Sequence, residues 1–203
     1  MNKLMYKSLK LIFDYSLATI LFIIFIPLIF IISLIILCID GFPIFFVQER
    51  QGLNGNFFKI IKFRTMLKET KNDDGTELKD HERITKFGNL LRKTSLDELP
   101  TLINILFGQM SFVGPRPLLS EYDKIYNENQ KKRFSVKPGV TGWAQINGRN
   151  KISWNEKFNL DIWYIQNANF FLDLKIIVKT ITKVFINSDV NSSNTDTMRK
   201  FGD

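Results

Sequence analysis

An uncharged, apolar run from Leu17 to Ile39 restricts the fold of this chain more than any other feature. The run holds 23 residues. A straight α-helix of that length, at ~1.5 Å per residue, extends roughly 34 Å, whereas a bilayer core is ~30 Å thick. A cleaved signal peptide is a poor alternative, because the run is too long and no small-residue cleavage site follows it. The run therefore predicts a helix that enters a membrane.

Pro27 lies inside this run and divides it into two arms that are each too short to cross a bilayer. Lysines precede the run and further cations follow it, so a simple crossing would leave one basic flank outside, against the positive-inside tendency. A re-entrant helix that dips in, breaks at Pro27 and returns to the same face meets both objections. A transmembrane helix kinked at Pro27 is the alternative. The lysine-bearing segment 1–10 is expected to lie at the membrane surface.

The charge of the chain favours an anionic partner. Lys and Arg number 28 and Asp and Glu 20, a net charge of +8, so nucleic acid, acidic lipid headgroups and nucleotide substrates all qualify.

Cys38 is the single cysteine and can form no internal disulfide, and the single His81 argues against a histidine metal site. The length of 203 residues predicts one compact domain with appendages.

Two adjacent carboxylates, Asp97 and Glu98, stand just ahead of Pro100 and a short apolar segment, and a Gly-Pro-Arg-Pro turn follows at 114–117. Carboxylates can hold a divalent cation or attack phosphorus. An arginine fixed between prolines, here Arg116, can bind phosphate oxygens through two parallel hydrogen bonds. This stretch therefore predicts phosphate chemistry.

A structural explanation of the same acids competes with this one. Ser95 to Glu98 fits the capping box, in which Glu98 would only accept from a backbone amide, and acids in a first helical turn are ordinary partners of the helix dipole. A helix that restarts near Leu99 or Pro100 would keep both carboxylates at its amino end, where phosphate also binds. The local pattern leaves both explanations open.

The run TSLDELP, an apolar segment and MSFVGPRP together resemble the signature of the bacterial monotopic phosphoglycosyl transferases. The resemblance extends from the apolar run near Leu17, through KFRTM at 62–66, to PGVTGWAQINGRN at 138–150 and on to about Phe185. The chain departs from the pattern at Ile26, where relatives often carry serine, and at Gln109, where they commonly carry aspartate.

The resemblance implies an α+β fold with an N-terminal re-entrant membrane helix, interfacial amphipathic helices and a small cytoplasmic α/β catalytic domain with short strands. It assigns 1–40 to the membrane helix, 41–186 to the catalytic domain with its interfacial helices, and 187–203 to a polar tail. The implied location is the bacterial inner membrane, with the catalytic domain on the cytoplasmic face.

The implied activity is transfer of a sugar-1-phosphate from a UDP-sugar to undecaprenyl phosphate, with release of UMP. Asp97 is implied to attack the sugar-bearing phosphate and form a phosphosugar-aspartyl intermediate, and Glu98 to handle a proton or orient the site. Both acids are implied to hold Mg²⁺. The expected donor is N-acetylated, by analogy with the minimal enzymes of the family, and UDP-galactose or UDP-glucose is the alternative.

This reaction would be the first membrane step in assembling a glycoprotein, an O-antigen or a capsule. Membrane lipid and downstream glycosyltransferases of the same pathway are the expected partners, and no nucleic acid is expected. A basic membrane-anchored module that binds RNA or acidic lipid, or a structural membrane scaffold, would account for the charge and the helices. Neither needs paired acids in an otherwise basic protein.

Four further polar residues are candidates for substrate binding. Lys62 and Arg64 share one face of a predicted strand, a geometry that suits a diphosphate. Gln145 and Arg149 lie in the glycine-punctuated stretch 141–150, which is a plausible nucleotide-sugar loop. The alternatives are solvated surface cations and a structural loop.

Trp154, Phe158, Asp161 and Tyr164 fall on one helical face. An aromatic stripe of this kind is more often core than ligand platform, but a uracil ring needs an aromatic surface, and an aspartate is unusual in a core stripe. These four residues are second-tier candidates for the nucleotide.

The remaining patterns predict local structure. Segments 44–47 and 57–63 are expected as extended strands around a Gly- and Asn-rich turn at 51–56. Helices are predicted over 83–92, 118–136 and 169–186, the last with lysines at every fourth position facing lipid headgroups, and 68–82 is predicted as a polar loop.

Overall fold

The computed structural model describes residues 2–68, 76, 78–148, 152–186 and 201. Its α-helices are α1 (Lys3–Ile39), α2 (Asp80–Arg83), α3 (Lys86–Lys93), α4 (Thr101–Leu106), α5 (Glu128–Lys131), α6 (Trp143–Ile146), α7 (Trp154–Asn167) and α8 (Phe170–Ile186). Its strands are β1 (Phe45–Gln51), β2 (Phe57–Phe63), β3 (Ser111–Val113) and β4 (Gly139–Thr141). Strands β1 and β2 pair antiparallel and β3 and β4 pair parallel, which confirms a mixed helix and strand fold.

Helix α1 joins the predicted surface segment and the apolar run into one element of 37 residues. At ~1.5 Å per residue it is roughly 55 Å long. It stays helical through Pro27, so the backbone does not break where the sequence predicted a break. A proline removes its own N–H bond, and the packing of both flanking arms maintains the helix here. In the described part of the chain, α1 is the one helix long and apolar enough to cross a bilayer.

Apolar side chains bury one side of α1 against the rest of the chain. Ala18 is completely buried in a cluster with Phe58 of β2 and Leu102 of α4. Nearer the end of the helix, Ile36 is completely buried in a second cluster with Phe63. The two clusters attach α1 to the hairpin and to the segment that carries the acids.

A polar cluster attaches the beginning of α1 to helix α8, the last helix of the described chain. The hydroxyl of Tyr6 donates to Asp173 of α8 at 3.0 Å, and Lys10 donates to the same carboxylate at 2.7 Å. The hydroxyl of Tyr164 donates to the other oxygen of Asp173 at 2.7 Å. Because every group in this cluster has a partner, the desolvation of the buried carboxylate is offset.

The predicted hairpin is confirmed. Its strands pair from Phe45 with Phe63 to Gln51 with Phe57, so β1 continues four residues beyond the predicted end at Val47. Asn54 and Gly55 have φ angles of 57° and 78°, left-handed values that asparagine and glycine tolerate and that reverse the chain here.

Asn104 fixes α4 against the edge of β2. Its amide nitrogen donates to the Lys59 carbonyl at 2.8 Å, and its amide oxygen accepts from the Ile61 N–H at 3.0 Å. Asn104 also donates to Gln109 at 2.7 Å, which gives that departure from the family pattern a structural role. The bonds set the distance between the hairpin and the acids that precede α4.

The single helix predicted over 118–136 is wrong. A 3₁₀ helix spans Ser120–Ile125, then α5 begins, and a second 3₁₀ turn spans Lys132–Ser135. The helix restarts because Asn127 caps α5: its side chain accepts from the Gln130 N–H at 2.9 Å, and the Gln130 side chain accepts from the Asn127 N–H at 3.0 Å.

The other predicted helices need smaller changes. Helix α8 agrees with the prediction over 169–186, and α3 begins at Lys86 because Thr85 caps it, accepting from the Gly88 N–H at 2.9 Å. Most of the predicted loop 68–82 lies outside the described residues, and its end belongs to α2. Of the tail, Phe201 is described, and it packs among Tyr122, Tyr126, Trp154 and Phe158.

Replacing Asn104 by alanine tests the attachment of α4 to the hairpin. The change leaves the Lys59 carbonyl and the Ile61 N–H without their side-chain partner in a buried position. We expect Asn104→Ala to lower the free energy of unfolding by about 2–4 kcal/mol. Denaturation of the detergent-solubilised protein measures it. Asn129→Ala, at an exposed asparagine, should change stability by less than ~0.5 kcal/mol, and an equal loss in both variants would contradict the assignment.

Candidate active site

A cleft of about 1090 Å³ opens between the hairpin, the acid pair, the Gly-Pro-Arg-Pro turn and α7. Its wall brings together nine of the residues predicted from the sequence: Lys62, Arg64, Asp97, Glu98, Arg116, Gln145, Trp154, Phe158 and Asp161. Residues that are more than 60 positions apart in the chain therefore meet at one site.

The capping-box explanation of the acids is wrong for this structure. Ser95 has a left-handed backbone, with φ of 57°, and its side chain makes no capping hydrogen bond. The acids lie in a 3₁₀ turn at Leu96–Glu98, and α4 starts beyond them at Thr101. Leu96 and Leu99 flank the acids and pack into the same cluster as Ile36 of α1. The turn is thereby held by apolar packing, and the carboxylates face the cleft.

Glu98 is the centre of a three-residue ion cluster. Its Oε1 accepts from Lys62 Nζ at 2.5 Å and from Arg116 Nη2 at 3.3 Å. Burial by itself would raise the pKa of Glu98, but the two cations prevail and lower it to about 2. Glu98 is therefore ionised at neutral pH, and its charge is committed to Lys62 and Arg116.

Asp97 has a different environment. Burial and the neighbouring charge of Glu98 raise the pKa of Asp97, against the opposing influence of Lys62, Arg92 and Arg116. Within the described residues Asp97 forms no hydrogen bond or ion pair, and it faces the cleft. Two adjacent carboxylates thus have pKa values that are pushed in opposite directions, an arrangement that allows them different chemical roles.

Arg116 lies on a turn whose backbone is fixed. The Gly114 N–H donates to the Thr141 carbonyl at 2.9 Å, and the Gly139 N–H donates to the Pro115 carbonyl at 2.9 Å. A Cβ on Gly139 would lie 2.1 Å from the nitrogen of Gly114, so only glycine permits this approach. The side chain of Arg116 is half exposed, which leaves its remaining N–H groups to a ligand.

Arg64 is a correction to the sequence prediction. Its guanidinium donates to the backbone carbonyls of Asp40 at 2.5 Å, Gly41 at 2.6 Å and Phe42 at 3.1 Å. Arg64 follows the last residue of β2 and binds the turn at the end of α1, whereas Lys62 binds Glu98. Its role in this structure is to hold the turn after α1, although it also borders the cleft.

Gln145 has no partner for its side chain among the described residues. Both its amide nitrogen and its amide oxygen are buried without a hydrogen bond, and the residue lines the cleft. A ligand with one acceptor and one donor would satisfy both atoms. Arg149, predicted beside it, lies outside the described residues.

Helix α7 presents three of its four predicted residues to the cleft. Trp154, Phe158 and Asp161 line it, and the aromatic rings of Trp154 and Phe158 stack at 5.9 Å. Tyr164 does not: it is 2% exposed and bonded to Asp173, so for this residue the core explanation is correct and the nucleotide prediction is wrong.

Among the cleft residues that the sequence prediction missed are two arginines, Arg50 and Arg133. Arg50 of β1 lies on the same hairpin face as Lys62, and burial together with Arg116 lowers its pKa to about 10. The hairpin register, once known, would have identified it. Arg133 was visible only as part of a basic run, yet it is 4% exposed and paired with Asp161 at 2.9 Å.

The donor set of the acid pair suits Mg²⁺ only where other oxygen ligands complete the coordination shell. The described residues contain no group of three or more His, Cys, Asp or Glu side chains that could hold a metal alone. Mg²⁺ commonly takes one or two carboxylates and completes its shell with waters and substrate phosphates. Asp97, with the oxygen of Glu98 that the two cations leave unbound, supplies such a donor set.

A free carboxylate, a cluster of cations and a large open cleft define a site for moving a phosphate-bearing group, as in the phosphoglycosyl transferases. A sequence model of the bacterial sugar transferase family matches residues 5–187, and the chain belongs to this family. The protein is accordingly an enzyme of the phosphoglycosyl transferase class.

Three relatives illustrate the range of the family. The chain is 53% identical over 161 residues to the uncharacterized sugar transferase EpsL of Bacillus subtilis, covering 79% of each chain. It is 45% identical to the galactosyl transferase CpsE of Streptococcus agalactiae, covering 72% of this chain and 36% of that one. It is 40% identical to the UDP-glucose:undecaprenyl-phosphate glucose-1-phosphate transferase of Escherichia coli, covering 89% of this chain and 41% of that one.

The depressed pKa of Glu98 predicts how stability depends on pH. Because its pKa is about 2 in the folded protein and 4.5 without these neighbours, the carboxylate stabilises the fold above about pH 4.5. That stabilisation is lost as the pH falls toward 2. We expect the stability advantage of the wild type over Glu98→Gln, on the order of 3 kcal/mol near neutral pH, to shrink over this range.

Unfolding free energies of both proteins between pH 7 and pH 3 measure the effect. Glu49→Gln, at an exposed position of the hairpin, is the control and should follow the wild-type curve. A constant difference between wild type and Glu98→Gln at all pH values would contradict the ion cluster.

Proposed function

We propose that the protein transfers a sugar-1-phosphate from a UDP-sugar to undecaprenyl phosphate and releases UMP, as the first membrane step of glycoconjugate assembly. The single observation that carries the proposal is the contrast between Asp97, which is free in the cleft, and Glu98, which two cations occupy. Names of relatives that specify UDP-glucose and undecaprenyl phosphate support the substrate classes.

Asp97 is the proposed nucleophile. A carboxylate oxygen attacks the phosphorus that bears the sugar, an Asp97–phosphorus bond forms, and the bond from that phosphorus to the bridging oxygen breaks, so UMP leaves with the electron pair. An oxygen of undecaprenyl phosphate then attacks the same phosphorus and releases the Asp97 carboxylate. The products are UMP and a polyprenyl diphosphate sugar, and the enzyme is regenerated.

The cations are proposed to bind the diphosphate. Lys62 and Arg116 converge on one oxygen of Glu98, and Arg50 faces the same cleft. Fixed positive charges of this kind stabilise the negative charge that develops on the leaving phosphate. A pKa of about 2 makes Glu98 a poor proton donor at neutral pH, which supports an orienting role for this residue over proton transfer.

We further propose that Mg²⁺ is held by Asp97 and Glu98 together with the substrate phosphates. When bound, the ion would neutralise part of the diphosphate charge. Chelation of divalent cations is therefore expected to abolish turnover.

The aromatic side of the cleft is the proposed nucleotide site. The partly buried Trp154 offers ring surface for uracil and stacks on the buried Phe158 ring, and the unpartnered amide of Gln145 offers one donor and one acceptor. Arg149 remains a predicted ligand of this site. For the sugar, the N-acetylated donor remains the sequence prediction, whereas relatives named for galactose and glucose support the plain-hexose alternative.

Both ends of α1 contact the rest of the described chain, which supports a placement with both ends on one face of the membrane. The predicted re-entrant form has this property, and so does a helix that lies in the membrane plane, which the continuity of α1 through Pro27 favours. Tyr6 and Lys10 bind Asp173, and about 30 residues later Ile36 packs with Phe63. A helix that crossed the bilayer would put these two ends on opposite faces. We propose that α1 enters the membrane from the cytoplasmic face and keeps Asp97 near the lipid surface, where undecaprenyl phosphate resides.

Asp97→Asn tests the covalent mechanism. Loss of the nucleophile should abolish UMP release from UDP-sugars, tested with GlcNAc, GalNAc, glucose and galactose donors in the presence of Mg²⁺ and undecaprenyl phosphate. Intact-mass analysis without the lipid acceptor should detect a phosphosugar adduct on the wild type and none on Asp97→Asn. The exposed Glu128→Gln is the control. Near-normal turnover by Asp97→Asn would eliminate the covalent scheme.

Trp154→Ala tests the nucleotide site. Removal of a cleft ring should raise the KM for the UDP-sugar by roughly 5- to 150-fold, about 1–3 kcal/mol of stacking, with a smaller change in kcat. Trp163→Ala removes a tryptophan of the same helix that stacks on Trp143 outside the cleft, and should leave the KM unchanged. If Trp154→Ala and Trp163→Ala had equal KM values, the nucleotide would bind at another site.

A further inference from the structure

The backbone of Arg116 is held by a buried side chain as well as by strand pairing. Nη2 of Arg133 donates to the Arg116 carbonyl at 2.7 Å and to Oδ2 of Asp161 at 2.9 Å. A guanidinium nitrogen of this type carries two hydrogens, so one hydrogen goes to each acceptor. Arg133 thereby links the turn that carries Arg116 to helix α7.

The pair of Arg133 and Asp161 is almost completely removed from solvent, with side-chain exposures of 3% and 5%. The guanidinium carbon also lies 5.5 Å from the centre of the Phe158 ring and 5.8 Å from that of Phe134. The two hydrogen bonds and the two ring contacts together restrain the guanidinium. A buried pair restrained in this way is held in one position more strongly than a solvent-exposed ion pair is.

Helix α7 also carries Trp154 and Phe158, the proposed nucleotide wall. The Arg133–Asp161 pair therefore joins the two halves of the donor site: the aromatic wall and the turn that presents Arg116. A shift of α7 would be transmitted through Arg133 to the Arg116 carbonyl.

We propose that Arg133, held by Asp161, is a positioning residue that sets the direction of Arg116 toward the substrate diphosphate. This inference rests on the proposed function, because it takes Arg116 as a phosphate ligand. Arg133 itself lines the cleft, and its Nε and Nη1 make no hydrogen bond within the described residues. The experiment must therefore distinguish the positioning role of Arg133 from direct binding of substrate by Arg133.

The experiment is a double-mutant cycle with Arg133→Lys, Arg116→Ala and the double variant, measured as kcat/KM for UMP release per folded molecule. Lysine keeps the positive charge beside Asp161 but lacks the planar fork that serves both acceptors. We expect Arg133→Lys to lower kcat/KM by ~10-fold or more in the wild-type background, because small misplacements of a binding group reduce rates strongly. In the Arg116→Ala background we expect less than a ~2-fold further loss, because the residue through which Arg133 acts is gone.

Equal losses in the two backgrounds would overturn the proposal in favour of direct substrate binding. Wild-type kcat/KM in Arg133→Lys, or a change confined to the melting temperature, would overturn it in favour of a structural role. Lys131→Ala, an exposed cation two residues earlier that pairs with Glu128, is the matched control and should change neither quantity. If Arg133→Lys does not fold, Asp161→Asn enters the same cycle with the same expectation.

Failure of the proposed function gives a different result. A folded wild type that releases no UMP from any donor would reject that function, and the cycle would then be measured as UDP affinity by calorimetry. A loss of affinity in Arg133→Lys that disappears in the Arg116→Ala background would still support the positioning role. Additive losses, or no loss, would overturn it.

Discussion

The ion cluster of Glu98 with Lys62 and Arg116 is the interaction on which the site depends. It joins a hairpin strand, the 3₁₀ turn before α4 and the Gly-Pro-Arg-Pro turn, three elements that lie far apart in the chain. A partly buried carboxylate is costly without cations, and cations this close together are costly without a carboxylate. As a consequence, Glu98 is paired with the two cations, and Asp97 beside it has no ion pair within the described residues.

Helix α1 is part of the same arrangement. Its apolar side packs with Leu96 and Leu99, the residues on either side of the acids, and its first turns are bonded to Asp173 of α8. The helix therefore supports the turn that carries Asp97 and Glu98 directly.

Local sequence patterns predicted correctly the elements that turn residues and hydrophobic periodicity determine. The hairpin, α8 and the restart of a helix beyond the acids followed from turn residues and periodicity, and the acid pair stood out because two adjacent carboxylates precede a proline in a basic chain. The predictions were wrong where a capping residue or tertiary packing outweighed the helical periodicity. Asn127 capped a new helix inside 118–136, and Tyr164 shared a helical face with cleft residues but lay one turn too far along.

The sequence by itself determined the class of protein, the apolar helix and the two carboxylates, because these depend on residue type and order. Only the tertiary structure decided which cations meet them. Arg64 and Lys62 lie two positions apart, yet one binds the turn after α1 and the other binds Glu98. Arg133 looked like one of several surface cations until the fold buried it against Asp161. Charge partners separated by tens of residues are chosen by packing, and packing is not visible in a local pattern.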